Sequence, residues 1–102
     1  MEHFNKLTPS EAERLAILAE ECAEVIQVIG KILRHGYESY HPSNKHMPNR
    51  ALLEKELGDV CAIAAMMSVD GDVSESAISS YAELKTEAVL HWCHHQIAGD
   101  PA

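Results

Sequence analysis

Apolar residues recur every three or four positions between Pro9 and Arg34, which is the period of an amphipathic α-helix. One of the two apolar stripes on this helix contains two acidic residues between branched aliphatic ones: Ile17, Glu21, Glu24 and Val28. Like charges one turn apart repel, and burial removes their hydration, so folding alone does not favour acids there. A bound cation would remove both penalties. The other stripe is expected to be ordinary core: Leu15, Leu18, Cys22, Val25, Ile29 and Ile32.

The same pattern of apolar, acidic, acidic and apolar residues occurs a second time, at Leu52, Glu56, Asp59 and Ile63. A spacing of three places both acids of a pair on one helix face. If the two helices lie side by side, we expect four carboxylates to converge between them. Oxygen ligands with this much charge suit a hard divalent cation, and more than one ion. Two solvated acidic faces are the alternative interpretation.

The first helix has clear signals at both ends. Thr8 and Glu11 have the spacing of a capping box, which predicts the start. Gly36 is a natural C-terminal stop, so the helix is expected to end near Arg34. Residues 37–48 contain two prolines and no period, which predicts a loop. The loop is long for a connection between helices, and such loops are often functional.

Two further helices are expected after this loop. Asn49 is the predicted N-cap of the second helix, which runs to about Ser68. The third helix is expected from about Ser74 to Ile97, after a capping-box candidate that starts at Asp72. The sequence therefore predicts an all-α chain of three helices with a long first helix. Their two-sided apolar faces would leave a stripe uncovered in a monomer, so we expect an intersubunit helical bundle, as a homodimer or homotetramer.

Composition limits the class of protein and its partners. With 102 residues, the chain is expected to form one domain, 1–102. A net charge of −8 argues against binding to a nucleic-acid polymer or to an anionic membrane. The three cysteines form no CxxC pair, and we expect buried, reduced thiols. With no expected signal peptide, these features predict a cytoplasmic protein.

The two acid boxes also resemble a known signature. Glu20-Glu21-x-x-Glu24 followed by Glu56-Leu57-Gly58-Asp59 is similar to the motif of the MazG-like all-α NTP pyrophosphatases. That superfamily includes dimeric dUTPases and phosphoribosyl-ATP pyrophosphatases. The resemblance covers roughly residues 10–92 and includes the surrounding text, Ala-Glu-Glu-Cys-Ala-Glu-Val-Ile-Gln and Leu-Glu-Lys-Glu-Leu-Gly-Asp-Val.

The resemblance implies a reaction and roles for the acids. Such enzymes use Mg²⁺, with Mn²⁺ as a substitute, to cleave nucleoside triphosphates into a nucleoside monophosphate and pyrophosphate. It makes Glu21, Glu24, Glu56 and Asp59 the metal ligands, and Glu20 the residue that orients or deprotonates the attacking water. The chemistry is coherent in itself, because clustered Mg²⁺ neutralises phosphate charge and stabilises the leaving pyrophosphate.

Three basic residues are candidates for binding substrate. Lys85 interrupts an apolar stripe of the third helix, and the family often has a lysine there; the alternative is a lysine extending past Trp92 to solvent. Lys31 and Arg34 follow the first acid box and could reach phosphates, or could form a solvated helix end. Four aromatic side chains are available to stack a nucleotide base, but ordinary packing is the favoured interpretation for each: Tyr37, Tyr40, His41 and Trp92. The histidines of residues 91–95 are better explained as solvated than as a zinc site.

The sequence thus favours a homo-oligomeric, Mg²⁺-dependent nucleotide pyrophosphohydrolase that cleans or controls nucleotide pools. No predicted helix carries ExxH, which argues against a di-iron carboxylate protein. No GxGxxG or GxxxxGK[ST] motif supports another nucleotide-binding fold. The rival hypothesis is a non-enzymatic helical metal-binding or interaction protein, with the acids as a structural cation site.

Overall fold

The computed structural model describes residues 4–96, and this range contains three α-helices and no strand, which confirms the predicted all-α class. The helices are α1 (Pro9–His35), α2 (Asn49–Val69) and α3 (Glu75–Val89). The chain divides into two compact units, the first ending at Asp72 and the second beginning at Val73. Within residues 4–96, no helix is both long and apolar enough to cross a membrane.

The ends of α1 follow its predicted caps. The Thr8 hydroxyl accepts a hydrogen bond from the Glu11 backbone N–H at 3.1 Å, and the Thr8 N–H donates to the Glu11 carboxylate at 2.8 Å. This reciprocal pair satisfies backbone donors that the first helical turn leaves open. Gly36 ends the helix with a positive φ of 88°, which glycine adopts without steric cost. Its N–H donates to the Ile32 carbonyl at 2.7 Å.

The start of α2 differs from the prediction. Pro48, not Asn49, is the N-cap, and no side chain caps the helix. Asn49 is the first helical residue and is buried, and its amide donates to the Gly36 carbonyl at 3.1 Å. The predicted N-cap was wrong because this amide binds the end of α1 instead of the first turn of α2.

Helices α1 and α2 pack against each other, and their contact is called the seam. The acid-bearing stripes of both helices face it. On α1, Val28 is buried in the seam, and on α2, Glu56 and Met67 are buried there. The flanking members of both stripes are half-buried: Ile17, Glu21, Glu24, Leu52, Asp59 and Ile63. The carboxylates therefore occupy positions that would ordinarily be hydrophobic core.

The stripe expected to be the ordinary core of α1 is less buried than the acid-bearing stripe. Leu15, Cys22 and Ile29 are exposed, so the prediction of core was wrong for them. The reason is that α2 lies against the acid-bearing side. Cys61 is likewise exposed and Cys93 half-buried, so the expectation of buried thiols was wrong.

An ion-pair cluster joins the start of α1 to the turn after α2. The Arg14 guanidinium donates to both carboxylate oxygens of Asp72, from Nε at 2.6 Å and from Nη2 at 2.9 Å. Its Nη1 also lies 3.3 Å from Asp70 Oδ2. The guanidinium lowers the pKa of Asp72, chiefly by hydrogen bonding. Because Asp72 is engaged here, the capping box predicted from it was wrong, and the Ser74 hydroxyl caps α3 by accepting from the Ala77 N–H at 3.2 Å.

In the second unit, α3 ends earlier than predicted. The helix stops at Val89, and the Cys93 N–H donates back to the Val89 carbonyl at 3.1 Å in a turn. The predicted end, Ile97, lies outside the described residues. Because the helix has already ended, His91 and His95 do not have the helical spacing that would place them on one face.

Candidate metal centre

The structure brings the four acids of the two boxes together in the seam. One carboxylate oxygen from each lies within 4.8 Å of the others, and the residues are Glu21, Glu24, Glu56 and Asp59. The spacing of three within each box supplies two ligands from each helix. Packing of the acid-bearing stripes then turns both pairs toward a common centre. Oxygen atoms this close are within reach of shared divalent cations.

Two of these carboxylates have an oxygen that is buried without a hydrogen-bond partner among the described residues. They are Glu21 Oε2 and Glu56 Oε2, and Glu56 is only 9% exposed. A buried carboxylate oxygen with no donor is strongly unfavourable, because it has lost water and gained nothing. Buried charges in proteins are generally paired or coordinate a metal. These atoms therefore fit a cation held between the helices.

The pKa of Glu56 is raised above its ordinary value. The largest cause is a hydrogen bond with the Glu24 carboxyl group, burial contributes next, and repulsion by Glu24 and Asp59 adds less. The Lys55 ammonium acts in the opposite direction. Two carboxylates that share a site cannot both ionise freely unless a cation compensates them. Both the raised pKa of Glu56 and the two buried oxygens without donors indicate a site that needs a positive charge.

The Lys55 ammonium contacts the cluster, and the sequence interpretation overlooked it. Its ammonium donates to Asp59 Oδ2 at 2.8 Å and lies 3.6 Å from Glu56 Oε1. The side chain is about half exposed and lies at the edge of the site. Its position one residue before Glu56 and four before Asp59 was a usable signal, since residues four apart on a helix contact each other.

The remaining predicted site residues lie outside the cluster of four. Glu20 is exposed on α1. In the second unit, the Lys85 ammonium lies 5.5 Å from the centroid of the Trp92 ring, which is a cation–π contact. Lys31 and Arg34 are exposed near the end of α1 and line a cleft together with residues of loop 37–48.

Comparison of the chain with known protein families, curated proteins and solved structures gave no match. Any assignment therefore depends on the residues and on their geometry. The geometry defines an α-helical hairpin with a four-carboxylate cluster suited to hard cations.

Proposed function

We propose that this protein is a MazG-like, Mg²⁺-dependent pyrophosphohydrolase of nucleoside triphosphates, acting to clean or control nucleotide pools. Its products would be a nucleoside monophosphate and pyrophosphate. The observation that carries the proposal is the convergence of four carboxylates in the seam, where two buried oxygens have no donor among residues 4–96. The similarity of both acid boxes to the family motif is the second support.

Each residue of the boxes has a role in this proposal. Glu21, Glu24, Glu56 and Asp59 would hold Mg²⁺, or Mn²⁺ in its place, which supplies charge neutralisation of the phosphates and lowers the pKa of water. Glu20, beside Glu21 on α1, is proposed to orient the attacking water or accept its proton. Because the protein carries a net charge of −8, it can bind a polyanion only where cations reverse the local charge.

Basic side chains would complete the binding of the phosphates. Lys31 and Arg34 lie on the same stretch of α1, after the first acid box. Lys85 is proposed as a further phosphate contact, in which case its ammonium would leave the Trp92 ring.

The proposal includes self-association, as a homodimer or homotetramer. Several large apolar side chains of α1 are exposed beside the seam, including Ile26 at 68% and Leu33 at 83%. Burial of such a stripe against another copy would complete a helical bundle. Light scattering would give the number of subunits.

The test of function is incubation of the protein with a panel of ribo- and deoxynucleoside triphosphates, with and without Mg²⁺. We expect Mg²⁺-dependent release of pyrophosphate from at least one member. The panel includes dUTP, dCTP and phosphoribosyl-ATP, because base selection is not visible in the acid boxes. Identification of pyrophosphate, rather than phosphate, locates the broken bond between the α and β phosphates.

The rival hypothesis gives a different result in the same experiment. A structural cation site would show thermal stabilisation by Mg²⁺, because a ligand that binds only the folded state stabilises it. It would show no turnover of any nucleotide. That outcome would overturn the proposed enzymatic function and leave the metal site in place.

A further inference from the structure

A cleft of about 350 Å³ lies at the end of the seam where α1 stops and α2 begins. The last turns of α1 form one wall, and loop 37–48 forms the other. Its lining includes Lys31, Arg34, His35, Tyr40, His41 and Leu52. This volume is within the range of about 300–1,000 Å³ that is typical of small-molecule sites.

The charge of the cleft is opposite to that of the protein as a whole. None of the described residues that line it is acidic, although the protein carries a net charge of −8. Lys31 and Arg34 lie three residues apart, on neighbouring positions of one helix face. Among residues 4–96, neither forms an ion pair with a carboxylate. Two unneutralised cations side by side are suited to an anion with several charged oxygens.

The loop wall of the cleft is held in place by contacts with the first two residues of α2. The Arg50 N–H donates to the Tyr37 carbonyl at 2.8 Å, and its guanidinium lies 4.4 Å from the centroid of the Tyr37 ring. Arg50 Nε also donates to Glu38 at 2.6 Å, which neutralises the one acid of the loop. The Asn49 N–H donates to the Ser39 carbonyl at 2.8 Å. The cleft is therefore formed before any ligand arrives.

The cleft and the carboxylate cluster lie along the same pair of helices. Leu52, which lines the cleft, precedes Glu56 by one helical turn. Lys31 follows Glu24 by seven residues, which is roughly 10 Å along the helix axis. One extended ligand can thus place one end at the cluster and the other end in the cleft.

We infer that this cleft binds the terminal phosphates of a polyphosphate chain. That the polyphosphate belongs to a nucleoside triphosphate rests on the proposed function. The binding of a polyphosphate by the cleft does not depend on it. Lys31 and Arg34 donate to the phosphate oxygens, and the wall of loop 37–48 limits the depth of the chain. The carboxylate cluster then lies beside the phosphates nearer to the nucleoside.

The test is a calorimetric titration of inorganic tripolyphosphate into the protein in EDTA. Without metal, the acid cluster repels the anion, so binding reports the cleft alone. We expect the double variant Lys31→Gln/Arg34→Gln to raise the dissociation constant at least roughly tenfold, because it removes charged hydrogen bonds. Both side chains are exposed, so folding should persist, and far-UV circular dichroism checks it.

A matched control keeps the change in net charge the same. Lys6→Gln removes one positive charge from an exposed lysine outside the cleft and its loop wall, and it is compared with the single variants Lys31→Gln and Arg34→Gln, which remove the same charge. Little change in this control, with loss in the cleft variants, supports the site. An equal loss in the control and the single variants, or no binding by the wild type, overturns it. Uncharged nucleosides that displace tripolyphosphate would also overturn it, by making the cleft a base pocket. Hydrolytic activity does not enter the measurement, so failure of the proposed reaction would be recognised separately.

Discussion

On helix α1, the stripe that carries acidic residues is more buried than a neighbouring row of non-polar residues. The stripe with Glu21 and Glu24 faces the seam and is buried or half-buried. A neighbouring row of non-polar residues, called the flank, is exposed, and it consists of Leu15, Cys22, Ile26, Ile29 and Leu33. It shares three residues with the stripe that was expected to be core, whose other members are half-buried: Leu18, Val25 and Ile32. A helix hairpin stabilised only by the hydrophobic effect would bury the flank and expose the acids.

The difference shows what each stripe lacks. Buried carboxylates without donors need a cation, and exposed aliphatic side chains need an apolar partner. The hairpin alone supplies neither. If the metal centre and self-association are both real, each stripe has its partner and the reversal is explained.

The largest effect is expected from removing one charge in the seam. Glu56→Gln should lower Mg²⁺-dependent pyrophosphate release by roughly a hundredfold or more, because it removes a ligand from the most buried position. The metal-free variant should be as stable as the wild type or slightly more stable, since repulsion with Glu24 falls. Assays of pyrophosphate and thermal melts in EDTA measure the two quantities.

The control for this prediction is Glu54→Gln, which removes the same charge from an exposed position on α2, outside the cluster. Its turnover should stay close to that of the wild type. Undiminished turnover in Glu56→Gln would show that the seam acids are not the metal ligands of the reaction.

The next effect is expected from placing charge on the flank. Ile26→Asp/Ile29→Asp should reduce the mass measured by light scattering to that of the single chain, because buried, unpaired carboxylates would oppose association. Ala16→Asp/Gln27→Asp adds the same charge at two exposed positions on another side of α1, and this control should leave the mass unchanged. A wild-type protein that is already monomeric would remove the proposed role of the flank.

The sequence predicted the helices and the acid pairs well because both depend on local spacing. The caps at Thr8 and Gly36 and the three-residue spacing of the acids are properties of a single helix. The prediction was weaker where the partner of a side chain is distant along the chain. Asn49 binds the end of α1, and Asp72 binds Arg14, although each was expected to cap a nearby helix.

The choice between the two stripes of α1 also depended on distant contacts. Both stripes have helical period, so periodicity alone could not show which of them α2 covers. The prediction of where α3 ends was wrong for a related reason. Residues 90–95 contain no glycine or proline, and nothing local marks the stop after Val89.

A smaller effect is expected from weakening the ion pair at the open end of the hairpin. Asp72→Asn should destabilise the protein at pH 6, because it weakens the contact with Arg14 that joins the two ends of the hairpin. The pKa of Asp72 is lowered in the folded state by that guanidinium. The ion pair therefore stabilises fully above the ordinary aspartate pKa of about 3.9, and its contribution is lost as the pH falls through the lowered folded value.

Urea unfolding in EDTA at pH 6 and at pH 3 measures this difference. The difference in the free energy of unfolding between wild type and Asp72→Asn should be smaller at pH 3 than at pH 6. Asp70→Asn is the control, because Asp70 is more exposed and lies farther from Arg14, so the exchange should cost less. A gap that does not change with pH would mean that the charge on Asp72 does not stabilise the hairpin.

The smallest effect concerns the lysine at the edge of the seam. The Lys55 ammonium binds Asp59 and lies near Glu56, so a metal ion must compete with it for these oxygens. Lys55→Met keeps most of the side-chain volume and removes the charge. We expect Mg²⁺ or Mn²⁺ to bind this variant roughly two- to fivefold more tightly, since an exposed ion pair of this kind is weak. Calorimetric titration in the absence of nucleotide gives the affinity, with Lys45→Met as the control for net charge. Weaker metal binding in Lys55→Met would mean that the ammonium supports the site by orienting Asp59, and competition would then not describe its role.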